Sequence, residues 1–132
     1  MAASPTADSA TGVVLAFCDA WGRSDIDAIV ASVTDDAVYH NIPMDPVVGP
    51  DAIRAFIEGF TAGVDKIEFR MLNLAAAGNV VMTERVDVFT YPDKSIELPV
   101  AGVFEVRGDK IAAWRDYFDV NMFMSQMAPA EG

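Results

Sequence analysis

Arg85 and Asp87 stand two apart in "VVMTERVDVFTY" and share strand parity with Val81, Thr83, Phe89 and Tyr91. A guanidinium and a carboxylate therefore project side by side from one face of an apolar strand. In "IAAWRDYFDV" Asp116 shares its face with Ala112, Trp114 and Phe118. In "AVYHNIPM" Tyr39 and Asn41 face one way, while His40, the only histidine of the chain, looks out the other. Aspartate is disfavoured within strands, so two of them among aromatics ask for a reason. If these faces converge, one cavity holds two carboxylates and an arginine whose planar fork can bond both. A dry site and a neighbouring negative charge keep one carboxyl protonated while the other is ionised, which supplies an acid and a base together. The competing arrangement pairs Arg85 and Arg115 with strand carboxylates on a solvated face. Ile111 and Tyr117 make the second face of the last strand apolar as well, so alternation leaves both arrangements open.

The elements that would position these groups can be read along the chain. "ATGVVLAFCDAWG" places Val13, Val14, Phe17 and Trp21 at helical spacing and stops at Gly22. "DIDAIVASV" predicts a second short helix with Asp25 as N-cap and Ile26, Ile29, Val30 and Val33 facing inward. "DDAVYHN" reads as a short strand, and "IPMDPVVGP" as a loop too rich in proline to continue it. A third helix follows, with Pro50 in its first turn and Gly63 at its end. From Lys66 four long β segments are separated by the turn signals "GN", "PDK" and "GD", which predicts an antiparallel meander. The expectation is one α+β domain over residues 1–132, a strongly curved sheet wrapped around N-terminal helices to give a cone with one deep apolar pocket. The first ten residues are small and polar and are expected to be disordered. The methionine-rich "NMFMSQM" predicts a short helix closing the pocket mouth or packing on a partner subunit.

Composition bounds the partners. Acidic residues outnumber basic ones 20 to 9, for a formal charge of -11, with no Lys/Arg cluster. Phosphate backbones are repelled by such a surface, which argues against nucleic acid, and no apolar run is long enough to span a bilayer. The opening "MAASPTADSATG" carries no basic region followed by an apolar one, so no secretory signal is expected. The single cysteine, Cys18, can form neither an internal disulfide nor a zinc site; it reads as a small buried hydrophobe in a cytoplasmic protein.

"YHNIPM", "ERVD" and "WRDYFD", in that order and at this spacing, together resemble the signature of the limonene-1,2-epoxide hydrolase family, within the nuclear-transport-factor-2-like superfamily. The resemblance runs from the first helix to the last strand. It implies a cofactor-independent and metal-free epoxide hydrolase that adds water to a hydrophobic epoxide in one step, giving a vicinal diol. It further implies that Tyr39, Asn41 and Asp116 hold and deprotonate the water, that Asp87 donates to the epoxide oxygen, that Arg85 bridges the two aspartates, and that the protein is a homodimer through the outer sheet face. Met44, Val48, Phe89, Leu98, Val100, Trp114, Phe118 and Phe123 are the expected apolar lining for a cyclic or terpene-like substrate. The covalent route to epoxide hydrolysis needs a histidine to activate water against an ester, and His40 faces away.

The same polar set permits other readings. A ketosteroid-isomerase-like site would use an aspartate base with Tyr39 and a protonated aspartate as oxyanion donors, and a polyketide-cyclase-like activity stands beside it. A non-catalytic ligand-binding dimer module is the reading from outside enzymology.

Overall fold

β4 (Val80–Thr90) shows how the sheet is organised: Val81, Thr83, Arg85, Asp87 and Phe89 are buried while Met82 and Glu84 are exposed. One face of this strand meets the helices and the other meets solvent. In the computed structural model, which describes residues 6–128, the same alternation runs through β3 (Lys66–Ala77), β5 (Ser95–Arg107) and β6 (Lys110–Tyr117). These four form the expected antiparallel meander, turning at Gly78 and Gly108, both in the left-handed region with φ of 58° and 65°. β1 (Val33–Asn41) pairs in parallel with β6, and β2 (Val47–Val48) closes the edge in the order β2-β1-β6-β5-β4-β3. The proline-rich loop expected there thus contributes a two-residue strand.

α1 (Ala7–Gly22) lies across the inner face, burying Val14, Phe17 and Trp21 against the sheet. It begins earlier than the expectation of ten disordered residues: Thr6 caps it, accepting from the Ser9 backbone N–H, and Ala10 is fully buried. Residues 1–5 lie outside the described residues. Ser24, with φ of 54°, takes the left-handed conformation after the helix, so Gly22 is simply its last residue. α2 (Ile26–Ala31) is capped by Asp25 as expected, but it stops short of Val33, which opens β1. α3 (Pro50–Thr61) starts at Gly49 and Pro50, and α4 (Val120–Met127) is capped by Asp119. Among the described residues no helix is long and apolar enough to cross a membrane.

An aromatic stack anchors the middle of the core. Trp114 lies face to face between Tyr39 at 4.2 Å and Phe104 at 5.4 Å, with Phe17 edge-on at 5.0 Å. Strands β1, β6 and β5 are thereby clamped to α1 by pairs of the kind that add to simple burial.

Candidate active site

Between the inner face of the sheet, α3 and α4 lies a cavity of about 460 Å³. Its walls are apolar, built largely from Phe56, Phe60, Phe69, Phe89, Phe118 and Phe123, and its polar groups are few: Tyr39, Asn41, Asp87 and Asp116. Beneath them sits Arg85, wholly buried. Its Nε and Nη2 donate to the two oxygens of Asp87, each at 2.9 Å, and Nη2 also donates to Asp116 Oδ2 at 2.9 Å. Nη1 donates to Thr83 Oγ1 at 3.0 Å, and Phe69 covers the guanidinium at 4.8 Å. Trp114 Nε1 donates to Asp116 Oδ1 at 2.7 Å. On β1 the Tyr39 hydroxyl donates to Asn41 Oδ1 at 3.3 Å, and the parallel register sets Asn41 beside Asp116.

The family model for the limonene-1,2-epoxide hydrolase catalytic domain matches residues 8–129.

The chain belongs to the limonene-1,2-epoxide hydrolase family. It is similar to epoxide hydrolase EphG of Mycobacterium tuberculosis, 34% identical over 107 residues that cover 81% of this chain and 71% of that one. A solved LEH-like epoxide hydrolase from M. tuberculosis superposes with a TM-score of 0.81 at 32% identity, covering 92% of this chain and 91% of the other. A putative polyketide cyclase from Xanthomonas campestris pv. campestris reaches a TM-score of 0.84 at 22% identity over 92% and 98% of the two chains, a likeness of fold alone. As a member of this family the protein is an epoxide hydrolase, and its fold is the curved α+β sheet of these neighbours.

The electrostatics of the polar cluster follow from burial. Loss of water pushes the Asp116 carboxyl up to about 6, against the pull of Arg85, and the Asp87 charge adds to the rise. Burial raises Asp87 too, against the hydrogen bonds and charge of Arg85. For Arg85 burial disfavours the charge, but Asp116 and Asp87 together outweigh it and hold the guanidinium more firmly protonated than a free arginine. Burial, then the negative charge of Asp116, pushes the Tyr39 phenol above its ordinary range, so it is a neutral hydroxyl. Cys18 is buried as expected, its thiol pushed up to about 12 by desolvation. Among the described residues no group of three or more His, Cys, Asp or Glu side chains converges as a metal site.

Of the residues expected at the site of an epoxide hydrolase, Tyr39, Asn41, Asp87 and Asp116 line the cavity, as do Met44, Phe89, Leu98, Val100, Phe118 and Phe123. Two expectations are corrected. Val48 is 58% exposed and lies outside, because the β1–β2 register sets it opposite Val38 and puts Val47 beside Tyr39. Trp114 is not on the cavity wall; it is sandwiched in the aromatic stack and reaches Asp116 from behind. His40 sits opposite Arg115, with Nε2 2.9 Å from the Met44 carbonyl, and takes no part in the polar cluster. Arg115 pairs with Glu105 on the outer face, so the solvated arrangement holds for it and not for Arg85. The helical wall was missed. Ala55, Phe56, Gly59 and Phe60 of α3 and Trp21 of α1 line the cavity, and the Phe56–Phe60 spacing of one helical turn was the available signal. α4 lines the cavity with Val120, Phe123 and Met124, while Gln126 bonds both the N–H and the carbonyl of Glu97.

Proposed function

We propose that this epoxide hydrolase adds water to a hydrophobic epoxide in a single step, with Asp116 as general base, Asp87 as general acid and Arg85 as the bridge. The observation that carries the reading is the one Arg85 nitrogen donating to both carboxylates at the polar end of an otherwise apolar cavity. Each carboxylate oxygen has two acceptor sites, so Asp116, with Trp114 on one oxygen and Arg85 on the other, can still accept from a water. Tyr39 and Asn41, beside it on β1, complete the cradle. Asp116 takes one proton from the water as its oxygen bonds to an epoxide carbon. The C–O bond breaks, its electron pair stays on the ring oxygen, and Asp87 protonates that oxygen to give the vicinal diol. The pair carries one proton before and after turnover, now on Asp116 instead of Asp87, and its return resets the site. An aspartate raised to about 6 is ionised at neutral pH yet basic enough to take a proton.

The apolar walls favour a cyclic or terpene-like epoxide. In the isomerase and cyclase readings the Tyr39 hydroxyl would serve as an oxyanion donor, whereas its bond to Asn41 fits a water cradle better. A second copy of the chain belongs to the same reading: Met82 and Tyr117 project from the outer sheet face as exposed large hydrophobics, suited to a homodimer interface. A single, buried cysteine, Cys18, suits a cytoplasmic enzyme.

Diol formation from limonene oxide and cyclohexene oxide by the wild type, Asp116→Asn and Asp87→Asn tests the roles; substantial turnover in either folded variant refutes them. Single turnover in isotopically labelled water tests the step. Label should enter the diol, and label in an aspartate would establish a covalent route.

A further inference from the structure

Arg85 lies on β4 and Asp116 on β6, with β5 running between them. Neighbouring strands are about 4.8 Å apart, so the guanidinium must cross a whole strand to reach its second carboxylate. The strand it crosses is bare at that point. Thr83, Gly102, Asp116 and Asn41 occupy one row across four strands, paired in turn by register, and Gly102 has no side chain to fill the row. A Cβ built there would lie 2.3 Å from Arg85 Nη1, 2.6 Å from Asp116 Oδ1 and 3.0 Å from Thr83 Oγ1. The first two contacts are too short to exist, so a side chain at 102 would have to displace Arg85, Asp116 or both. Gly102 does not lie in the left-handed region, so its backbone angles leave the close approach as the reason for glycine.

Thr83 is the other half of the arrangement. Its Oγ1 accepts from Nη1 at 3.0 Å and faces the Gly102 carbonyl at 3.4 Å. Four of the five N–H groups of Arg85 are thereby bonded: one to Thr83, two to Asp87 and one to Asp116. A fork held on this many sides has one orientation available, the one in which Nη2 addresses both carboxylates.

We propose that Gly102 and Thr83 are positioning residues for epoxide hydrolysis: the bare backbone of β5 lets the Arg85 guanidinium cross to Asp116, and the threonine hydroxyl pins it over that gap. The inference rests on the acid, base and bridge roles given above for Asp87, Asp116 and Arg85. The titratable and charged groups around Asp116 are Arg85 and Asp87 from β4, Tyr39 from β1 and Cys18 from α1. Of these only Arg85 lowers its proton affinity, so loosening the arginine moves the acid limb of the rate profile to higher pH.

The test uses purified Thr83→Val, Thr83→Ser, Gly102→Ala and Asp116→Asn beside the wild type, with kcat, KM and the pH profile of kcat/KM measured on one epoxide. Valine keeps the shape and branching of threonine and removes only the hydroxyl, the acceptor for Arg85 and a long donor to the Gly102 carbonyl. It should lower kcat on the order of tenfold, as loss of one hydrogen bond to a charged group does, with KM little changed and the acid limb raised. Serine should restore most of kcat, and Gly102→Ala should lower it at least as far as valine does. If Thr83→Val and Gly102→Ala both keep wild-type kcat and pH profile while Asp116→Asn is inactive, the positioning proposal fails and the acid-base roles survive. A serine variant no better than the valine one overturns it as well. Should Gly102→Ala not fold, the threonine pair decides alone. An active Asp116→Asn would refute the underlying roles and the proposal with them.

Discussion

Trp114 and Asp116, two residues apart on β6, are joined by a 2.7 Å hydrogen bond from the indole Nε1 to Oδ1. The tryptophan therefore holds the Asp116 carboxylate and packs the core with the same ring. Replacing it with phenylalanine keeps most of the stack on Tyr39 and Phe104 but removes the donor. The Trp114→Phe enzyme should remain folded and lose roughly tenfold in kcat/KM, the worth of a hydrogen bond to a charged group. Because that donor helps hold the Asp116 carboxyl down, the acid limb should move to higher pH. An unchanged pH profile would show that the bond does not tune the base.

Asp116 also links stability to pH. Its folded pKa of about 6 lies above the ordinary aspartate value of about 3.9. The folded state thus binds this proton more tightly than the unfolded one, so the group's contribution is fully present below about pH 4 and is lost as pH rises through about 6. Asp116→Asn has no such proton. Denaturant unfolding at pH 4.5 and 7.5 should therefore show the variant gaining on the wild type at the higher pH, by on the order of 2 kcal/mol. Parallel profiles would contradict the raised value.

Activity, by contrast, should fall on the acidic side. With Asp116 as base, kcat/KM declines about tenfold for each unit of pH below roughly 6. Asp87, raised by burial, should set the opposite limb as it loses its proton with rising pH. A rate that is flat from pH 4 to 7 would remove Asp116 from the role of base.

The cavity walls can be separated from their neighbours by two truncations. Leu98 is buried and faces the cavity, so Leu98→Ala should raise KM for a bulky epoxide and cost about 2–5 kcal/mol of stability. Val48→Ala, outside the cavity, should change KM by less than about twofold and stability by less than about 0.5 kcal/mol. A large effect of Val48→Ala on KM would place that residue against substrate after all.

His40 faces away from Tyr39 and Asn41, so His40→Gln should leave kcat within about threefold of the wild type, any loss arising from its contact with the Met44 carbonyl. A hundredfold loss would call for a catalytic histidine.

Parity in "ERVD", "WRD" and "YHN" made legible which residues of the polar cluster share a side, while Ile111 and Tyr117 on the other parity of β6 left open which side is the inner one, a choice carried by the family resemblance. Parity says nothing of depth. Trp114 and Trp21 are both buried aromatics, yet only Trp21 meets the cavity, since helix docking and cross-strand register decide which ring is in front. Val47 and Val48 were equally ambiguous, because a two-residue strand has no alternation of its own to read. At the amino terminus the capping box uses Ser9 where glutamate or glutamine is the usual third residue, so the helix start at Ala7 left little trace. Gly102 was the least readable, since the glycine has meaning only once the arginine that crosses it is known to come from the next strand.

Parallel pairing between the first long strand and the last one gives the site a particular place in the history of the chain. Tyr39 and Asn41 leave the ribosome well before Asp116, and the meander between them can zip up hairpin by hairpin through local contacts. Docking β1 on β6 closes a loop of most of the polypeptide, the kind of contact that carries the largest entropic cost. A folding intermediate made of β3, β4 and β5 would hold Arg85 and Asp87 and still lack Asp116, Tyr39 and Asn41. Recovered turnover after refolding is accordingly a report on that final closure, whereas hairpin formation alone would leave the protein silent.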